Sequence, residues 1–213
     1  MAELLDIFND KFEKIGQATR DEVHKKGYWH QTFHCWILTK HNDENFVLVQ
    51  KRAAEKKTAP NKLDISAAGH LQAGESKENG IREVQEELGI EPSISKIVDL
   101  GIRISSSGIP GKKCNREFCH VVFLEDNTRL IDHALQESEV SALIEIKVED
   151  GLRLFARETD SISANELIID DNVKVVNKTT IHREDFIFRI DPYYLKIFIM
   201  ADRYFKGEKY LAI

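Results

Sequence analysis

The chain has 213 residues, of which 42 % are hydrophobic and 31 % charged, a balance typical of a soluble globular protein with a full core. Its formal net charge is −6, which argues against general binding to nucleic acids or anionic membranes, because both require a basic surface. No apolar run approaches the ~18 residues of a membrane span, and the N-terminus lacks the apolar segment of a signal peptide. We therefore expect a soluble cytoplasmic protein without nucleic-acid or membrane partners.

The sequence gives no sign of disulfides or of internal division. Its three cysteines, Cys35, Cys114 and Cys119, are odd in number and lack CxxC spacing, so we expect reduced thiols. No repeat, low-complexity tract or Pro/Gly-rich linker interrupts the chain. We predict a single domain over residues 1–213, which leaves a homodimer open.

The first third of the chain alternates strand and turn patterns. Residues 4–16 predict a β-hairpin, because two apolar segments flank an Asn-Asp turn signal. A short helix is expected next, ending at Gly27. Residues 32–40 and 46–52 are rich in β-formers and predict a second hairpin around HNDEN, and residues 62–71 predict a further strand.

After Ser76 the apolar period changes to that of a helix. Ile81, Val84 and Leu88 recur at i, i+3 and i+7, which predicts an apolar stripe, and Gly89 is placed to end the helix. Ser76 is a candidate N-cap.

The remaining chain returns to strand patterns and then to helices. The predicted strands are 96–106, 116–126 and 141–148, and the predicted helices are 150–157 and 192–205. Between those helices, residues 157–190 are polar with a β-like centre, and we interpret them as an insertion. The overall expectation is a mixed α+β fold with a helix set against a mainly β core.

The predicted helix that follows the loop carries three carboxylates within one turn. On it, Glu83, Glu86 and Glu87 are expected on the side away from Val84 and Leu88. Like charges at this spacing repel, whereas a divalent cation turns the repulsion into attraction, and clustered carboxylates suit Mg²⁺ or Mn²⁺. The alternative is a solvated acidic face, which is usual for an isolated ExxEE pattern.

The surrounding residues resemble the Nudix box of the Nudix hydrolases. Its pattern is G, five residues, E, seven residues, then REUxEExGU, where U is aliphatic. Gly69, Glu75 and the run REVQEELGI from Arg82 to Ile90 match it. The resemblance implies a Nudix-type α/β/α sandwich with a mixed sheet. It also implies hydrolysis of a diphosphate linkage in a nucleoside diphosphate joined to a moiety X, or in a related organic diphosphate.

The resemblance assigns boundaries and roles. We expect the core at about 28–150, the N-terminal hairpin and helix at 1–27, and an insertion and helix at 151–213. The implied ligands of Mg²⁺ or Mn²⁺ are the backbone carbonyl of Gly69 and the side chains of Glu75, Glu83, Glu86 and Glu87. Arg82, Glu86 and Glu87 are the implied catalytic residues. Arg82 would orient the acidic groups, a carboxylate would act as general base, and a metal-bound water would attack phosphorus. The alternative for Arg82 is a surface ion pair.

One residue of the family pattern is missing. Six residues, 76–81, separate Glu75 from Arg82 where the family has seven. A deletion inside a helix would rotate the preceding residues by ~100°, so Glu75 is the least secure member. Gly80 is a poor helix former, which predicts that the helix starts near 79–81 and that the deletion lies in the loop.

A second resemblance, over roughly residues 1–150, is to the isopentenyl-diphosphate isomerase branch of the family. There, three histidines and two glutamates hold a metal. The matching residues here are His24, His30, His70 and Glu117, the first only approximately. Arg52 and Lys56 stand where the isomerases grip the diphosphate. We place Glu117 among the metal ligands, and His30 and His70 with Arg52 and Lys56 around the substrate. Singly, each histidine would more often be a polar strand-end residue, and the basic cluster could be solvated loop charge.

Two positions argue against isomerase activity. Ala68 stands where the isomerases have their catalytic cysteine, and a methyl group cannot transfer a proton. Asn115 replaces the second glutamate ligand, whereas the RExxEE set that those isomerases have mostly lost is complete here. We therefore expect a hydrolase, with an isomerase or a ligand-binding module that has lost turnover as the alternatives. The sequence does not identify the moiety X.

Overall fold

The computed structural model describes residues 2–109 and 113–213. The strands in these residues are β1 (Leu4–Phe8), β2 (Lys14–Thr19), β3 (Trp29–His41), β4 (Glu44–Arg52), β5 (Leu63–Asp64), β6 (Ala67–His70), β7 (Ile97–Ile109), β8 (Lys113–Glu125), β9 (Val140–Lys147), β10 (Ser161–Asp170) and β11 (Val173–His182). The α-helices are α1 (Arg20–Lys26), α2 (Arg82–Leu88), α3 (Val148–Phe155) and α4 (Tyr193–Phe205). None of these helices is long and apolar enough to cross a membrane.

The strands join in one mixed sheet. Its main path runs in the order β11, β10, β9, β4, β3, β1, β2, while β8 pairs in parallel with β3 and carries β7 on its far side. The short strands β5 and β6 pair with β4 and β3, respectively. Among the described residues, β6 pairs only with β3, so no strand lies along its other edge.

Alternating side chains of β3 separate two apolar cores. Phe33, Cys35 and Ile37 face α2 and pack with Val84 and Leu88. The opposite face carries Trp36, which packs with the aromatic side of α4. Helices therefore cover both faces of the sheet, which confirms the expected α+β fold of the α/β/α type.

The terminal elements extend this sheet. The N-terminal hairpin and the helix before Gly27 are present, and Gly27 ends α1 in the left-handed conformation with φ 69°. The expected insertion at 157–190 is instead largely a β-hairpin, β10–β11, that joins the main sheet. Leu167 of β10 is fully buried and pairs with Leu143 of β9.

The helix α2 begins late, as the position of Gly80 predicted. A single 3₁₀ turn over Asn79–Ile81 leads into it, and Gly89 ends it with φ 68°. The prediction of Ser76 as N-cap is wrong, because its amide and hydroxyl both bond the Asn79 side chain within the loop. Packing also favours glycine at position 80, because a β-carbon there would collide with the side chain of Phe33.

Candidate functional site

The edge of β6 that no strand pairs with gives access to side chains on both faces of the sheet. The Ala68 amide donates to Glu87 Oε2 of α2 at 3.2 Å. Because side chains alternate along a strand, Gly69 faces α2, while Ala68 and His70 face the other side. Groups on both faces can therefore approach a ligand at this edge.

The carboxylates of α2 differ in their surroundings. Glu83 lies against the backbone of Gly69, where a β-carbon would collide with its carboxylate. Glu87 is only 6 % exposed and also accepts from Gln50 Nε2 at 3.2 Å. Glu86 is exposed. The expectation that all three lie on the face away from Val84 and Leu88 is therefore wrong for Glu87, which is buried against β6.

Arg82 connects the acidic groups. Its guanidinium donates to Glu75 Oε1 at 3.3 Å, Glu83 Oε1 at 2.5 Å and Glu86 Oε2 at 3.3 Å. It also donates to the carbonyl of His70 at 3.3 Å. The structure thus brings Glu75 beside the helix despite the shortened loop, and the positive charge offsets the repulsion among the carboxylates.

Burial disfavours the ionised form of the two carboxylates at this edge. Burial raises the pKa of Glu87 to about 8, and the nearby Glu83 charge adds to this, while the Ala68 amide opposes it. Burial also raises the pKa of Glu83, which Arg82 opposes. Carboxylate oxygens converging on a glycine are the donor set that Mg²⁺ and Mn²⁺ prefer, so these residues fit such an ion.

Three histidines converge on the opposite face of β6. One ring nitrogen from each of His24, His30 and His70 lies within 4.8 Å of the others. The Nε2 atoms of His30 and His70 are buried without a hydrogen-bond partner among the described residues. His30 Nδ1 lies 3.1 Å from the Tyr28 carbonyl, and His24 Nδ1 lies 2.7 Å from that of Arg20. Since a carbonyl only accepts, Nδ1 of these two rings carries the proton and Nε2 keeps a lone pair for a metal.

The charge state of this cluster also suits a cation. Burial lowers the pKa of His30, although the nearby Glu117 charge opposes the shift. Burial, and then the positive charge of Arg20, lowers the pKa of His70 well below its usual value. Neutral imidazole is the form that coordinates metals. Glu117 is buried and pairs with His30 across β8 and β3, so it lies beside the three rings.

The two predicted diphosphate-binding cations lie in different surroundings. Lys56 forms an ion pair with Glu139, and its charge acts on the pKa values of both Glu87 and His70. Arg52 instead donates to the Thr58 carbonyl at 3.1 Å and lies 3.8 Å from Asp64. The structure therefore brings Lys56 close to the α2 carboxylates and the histidines.

Several residues of the site were missed from the sequence. Gln50, Glu139 and the Ala68 amide surround Glu87, and Arg20 acts on His70. Gln50 left a signal, because it is a polar residue within an apolar strand pattern. The others depend on contacts between segments that are distant in sequence, and no local pattern indicates them.

Comparisons with known proteins agree on one family. A model of the NUDIX domain matches residues 29–165. A Nudix hydrolase of Clostridium acetobutylicum is 38 % identical over 200 residues, which are 93 % of this chain and 96 % of that protein. Nudix hydrolase 3 of Arabidopsis thaliana is 30 % identical over 161 residues, which are 73 % of this chain and 21 % of the plant protein. A crystal structure from Deinococcus radiodurans superposes with a TM-score of 0.54 at 23 % identity, covering 73 % of this chain and 88 % of that one, and so supports the fold.

The raised pKa of Glu87 predicts a pH-dependent stability for the metal-free protein. Between the unfolded pKa of ~4.3 and the folded value of about 8, the folded state holds a proton that the unfolded chain has released. Stability from this group therefore falls as pH rises through that window, by roughly 3 kcal/mol between pH 6 and 9. In EDTA, Glu87→Gln should remove this loss, measured as the free energy of unfolding in urea.

The same comparison at pH 4 serves as the control, because the side chain at position 87 is then largely uncharged in both the folded and the unfolded chains. The wild type and the variant should differ little there and diverge at pH 9, where the variant is the more stable. A variant that loses stability between pH 6 and 9 as steeply as the wild type would contradict the assignment.

Proposed function

The chain belongs to the Nudix hydrolase family and is a pyrophosphohydrolase, and from this premise we propose a metal-dependent reaction. The substrate is a nucleoside diphosphate joined to a moiety X, or a related organic diphosphate, and the cofactor is Mg²⁺ or Mn²⁺. The observation that carries the proposal is the placement of Glu83 and buried Glu87 against Gly69 and Ala68 at the open edge of β6.

In this proposal each residue at the edge has a separate task. Glu83, Glu86 and Glu87 hold the ion with the Gly69 carbonyl. The bound ion neutralises the diphosphate and lowers the pKa of a bound water. Arg82 fixes the directions of Glu83 and Glu86 through its bonds to them. Glu86 is exposed and can accept a proton from the attacking water.

Lys56 supplies a positive charge for the diphosphate oxygens. In the structure Lys56 forms an ion pair with Glu139. A phosphate can take the place of this carboxylate, because both offer anionic oxygens to the ammonium group of Lys56. The charge of Lys56 acts on the pKa values of both Glu87 and His70, which supports a position for Lys56 between the two proposed metal-binding faces.

We further propose that His24, His30 and His70, with Glu117, hold a second cation. The convergence of the three rings and the unpartnered Nε2 atoms of His30 and His70 support this, as does the resemblance to the isomerase branch. Imidazole nitrogen suits transition metals better than Mg²⁺. The second ion would bind the diphosphate from the face opposite α2.

The activity is tested with a panel of nucleotide sugars, dinucleotides, nucleoside triphosphates and prenyl diphosphates. With Mg²⁺ or Mn²⁺, we expect cleavage of at least one diphosphate linkage, and EDTA should abolish it. Isopentenyl diphosphate in D₂O should give no dimethylallyl diphosphate and no deuterium uptake, because Ala68 offers no exchangeable proton. Metal-dependent stabilisation without turnover on any substrate would support the ligand-binding alternative, and an allylic product at an enzymatic rate would support the isomerase.

The shortened loop predicts unequal roles for Glu75 and Glu87. Glu75 bonds the Gln72 amide and Arg82, whereas Glu87 is buried at the edge itself. On the best panel substrate, Glu87→Gln should lower kcat/KM several hundredfold, a loss of ~3.5 kcal/mol, and Glu75→Gln no more than about tenfold. Glu137→Gln, on an exposed side chain, is the control. Equal large losses for Glu75 and Glu87 would show that Glu75 is as central as the helix carboxylates.

The histidine cluster predicts two separable cation sites. His30→Gln and His70→Gln should each weaken binding of Zn²⁺ or Mn²⁺ to that cluster by tenfold or more, measured by calorimetry with the purified protein. Stabilisation by Mg²⁺ at the α2 carboxylates should remain. His41→Gln, on a half-exposed ring, is the control. Unchanged transition-metal binding in both cluster variants would refute the second site.

A further inference from the structure

A row of side chains crosses four strands on the face opposite α2. His70 of β6 pairs with Thr32 of β3, Thr32 with Cys119 of β8, and Cys119 with Arg103 of β7. Paired residues project to the same face of a sheet, and neighbouring strands lie about 4.8 Å apart. The row therefore leads from the histidine cluster to Arg103 over roughly 14 Å.

Arg103 ends this row with an unused donor. Its side chain is 8 % exposed, and Nε donates to Asp191 Oδ2 at 2.9 Å, with Nη2 bound to the other oxygen. The guanidinium lies 4.4 Å from the ring centre of Tyr193. Nη1 is buried and has no partner among the described residues, which is costly for a charged donor.

A second arginine reaches the same region from the segment before α4. Arg189 donates through Nη2 to Asp64 Oδ1 at 2.9 Å, while its Nε is buried without a partner in the described chain. Arg52 shares Asp64 at 3.8 Å. Three arginines thus face two carboxylates, Asp64 and Asp191, so the group has one positive charge in excess.

His34 supplies a third donor between the arginines and β6. Trp36 Nε1 donates to the Tyr193 oxygen at 3.0 Å, and the tyrosine hydroxyl lies 3.1 Å from His34 Nδ1. The indole can only donate, so the tyrosine oxygen accepts from Trp36 and its own proton is available to His34 Nδ1. In that tautomer neutral His34 carries its proton on Nε2 and can donate from it. Burial lowers the pKa of His34 well below its usual value, and the positive charges of Arg189 and Arg103 lower it further.

We propose that His34, Arg103 and Arg189 form an oxyanion subsite for the moiety X, which carries a carboxylate or phosphate group. This inference rests on the proposed function, since that function places the diphosphate at the edge of β6. His34 pairs with Ala68 of β6, so the three donors begin beside the diphosphate and extend away from it. An apolar X group would leave Arg103 Nη1 and Arg189 Nε unpaired, whereas an anionic oxygen satisfies them.

Matched substrate pairs test the inference. UDP-glucuronate and UDP-glucose differ by a carboxylate on the sugar, and ADP-ribose 1″-phosphate and ADP-ribose differ by a phosphate on the terminal ribose. We expect kcat/KM to favour the anionic member of at least one pair by thirtyfold or more. The pair that shows the preference distinguishes a carboxylate from a phosphate. Arg103→Gln should reduce the preference to threefold or less.

A matched variant separates binding from structural support. Asp191→Asn breaks the ion pair with Arg103 but keeps the guanidinium, so the preference for the anionic member should persist. Arg103→Lys keeps the charge and should retain part of it. If Asp191→Asn abolishes the preference as fully as Arg103→Gln does, Arg103 acts only by anchoring the segment before α4, and the inference fails.

Equilibrium binding of the same four compounds, measured by calorimetry in EDTA, keeps the test independent of turnover. Cleavage of neutral members without any preference in rate or affinity would overturn the subsite while the proposed function stands. The opposite result would be tighter binding of an anionic member, lost in Arg103→Gln, without cleavage of any compound. That result would overturn the proposed function and support the subsite.

Discussion

The hydrogen bond between the Glu87 carboxylate and the Ala68 amide joins α2 to the open edge of the sheet. It requires a helix that begins late enough to aim Glu87 at β6, and a strand edge that no neighbouring strand occupies. The bond places a carboxylate where burial disfavours its charge. A divalent cation, as proposed for this edge, would stabilise the ionised form.

The two faces of that edge carry different chemistry. Toward α2 are carboxylates tied together by Arg82, which form an oxygen donor set for a hard cation. On the other face are neutral imidazoles and, farther along the row, arginines with unused donors. In the proposed function a diphosphate at the edge would lie between these groups, on either side of a strand of four residues. An acidic chain with net charge −6 can thereby present a local positive region to an anionic ligand.

The α2 part of the site was predictable because its signals are local. Helical spacing placed Glu83, Glu86 and Glu87 within one turn, and the resemblance to the Nudix box implied their role. The position of Gly80 indicated the late start of α2. Burial of Glu87 was not predictable, since it depends on how deeply β6 inserts beside the helix. The fold class followed from strand and helix periodicity, but residues 157–190 were treated as an insertion because their polarity hid the pairing of Leu167 with Leu143.

The donors on the other face were harder to recognise, because their partners come from distant segments. Arg103 meets Asp191 across 88 residues, and Arg189 meets Asp64 across 125.

The same face also bears on the choice between hydrolysis and isomerisation. Cys119 stands in the row, but burial and the Glu117 charge raise its pKa to about 12. A group that transfers protons needs a pKa near the working pH. The Cys119 thiol is therefore unsuited to the role of the catalytic cysteine that the isomerases have at the position of Ala68. The described residues therefore offer no thiol suited to isomerisation, whereas the α2 carboxylates and the edge of β6 supply the oxygen ligands that the proposed metal-dependent hydrolysis requires.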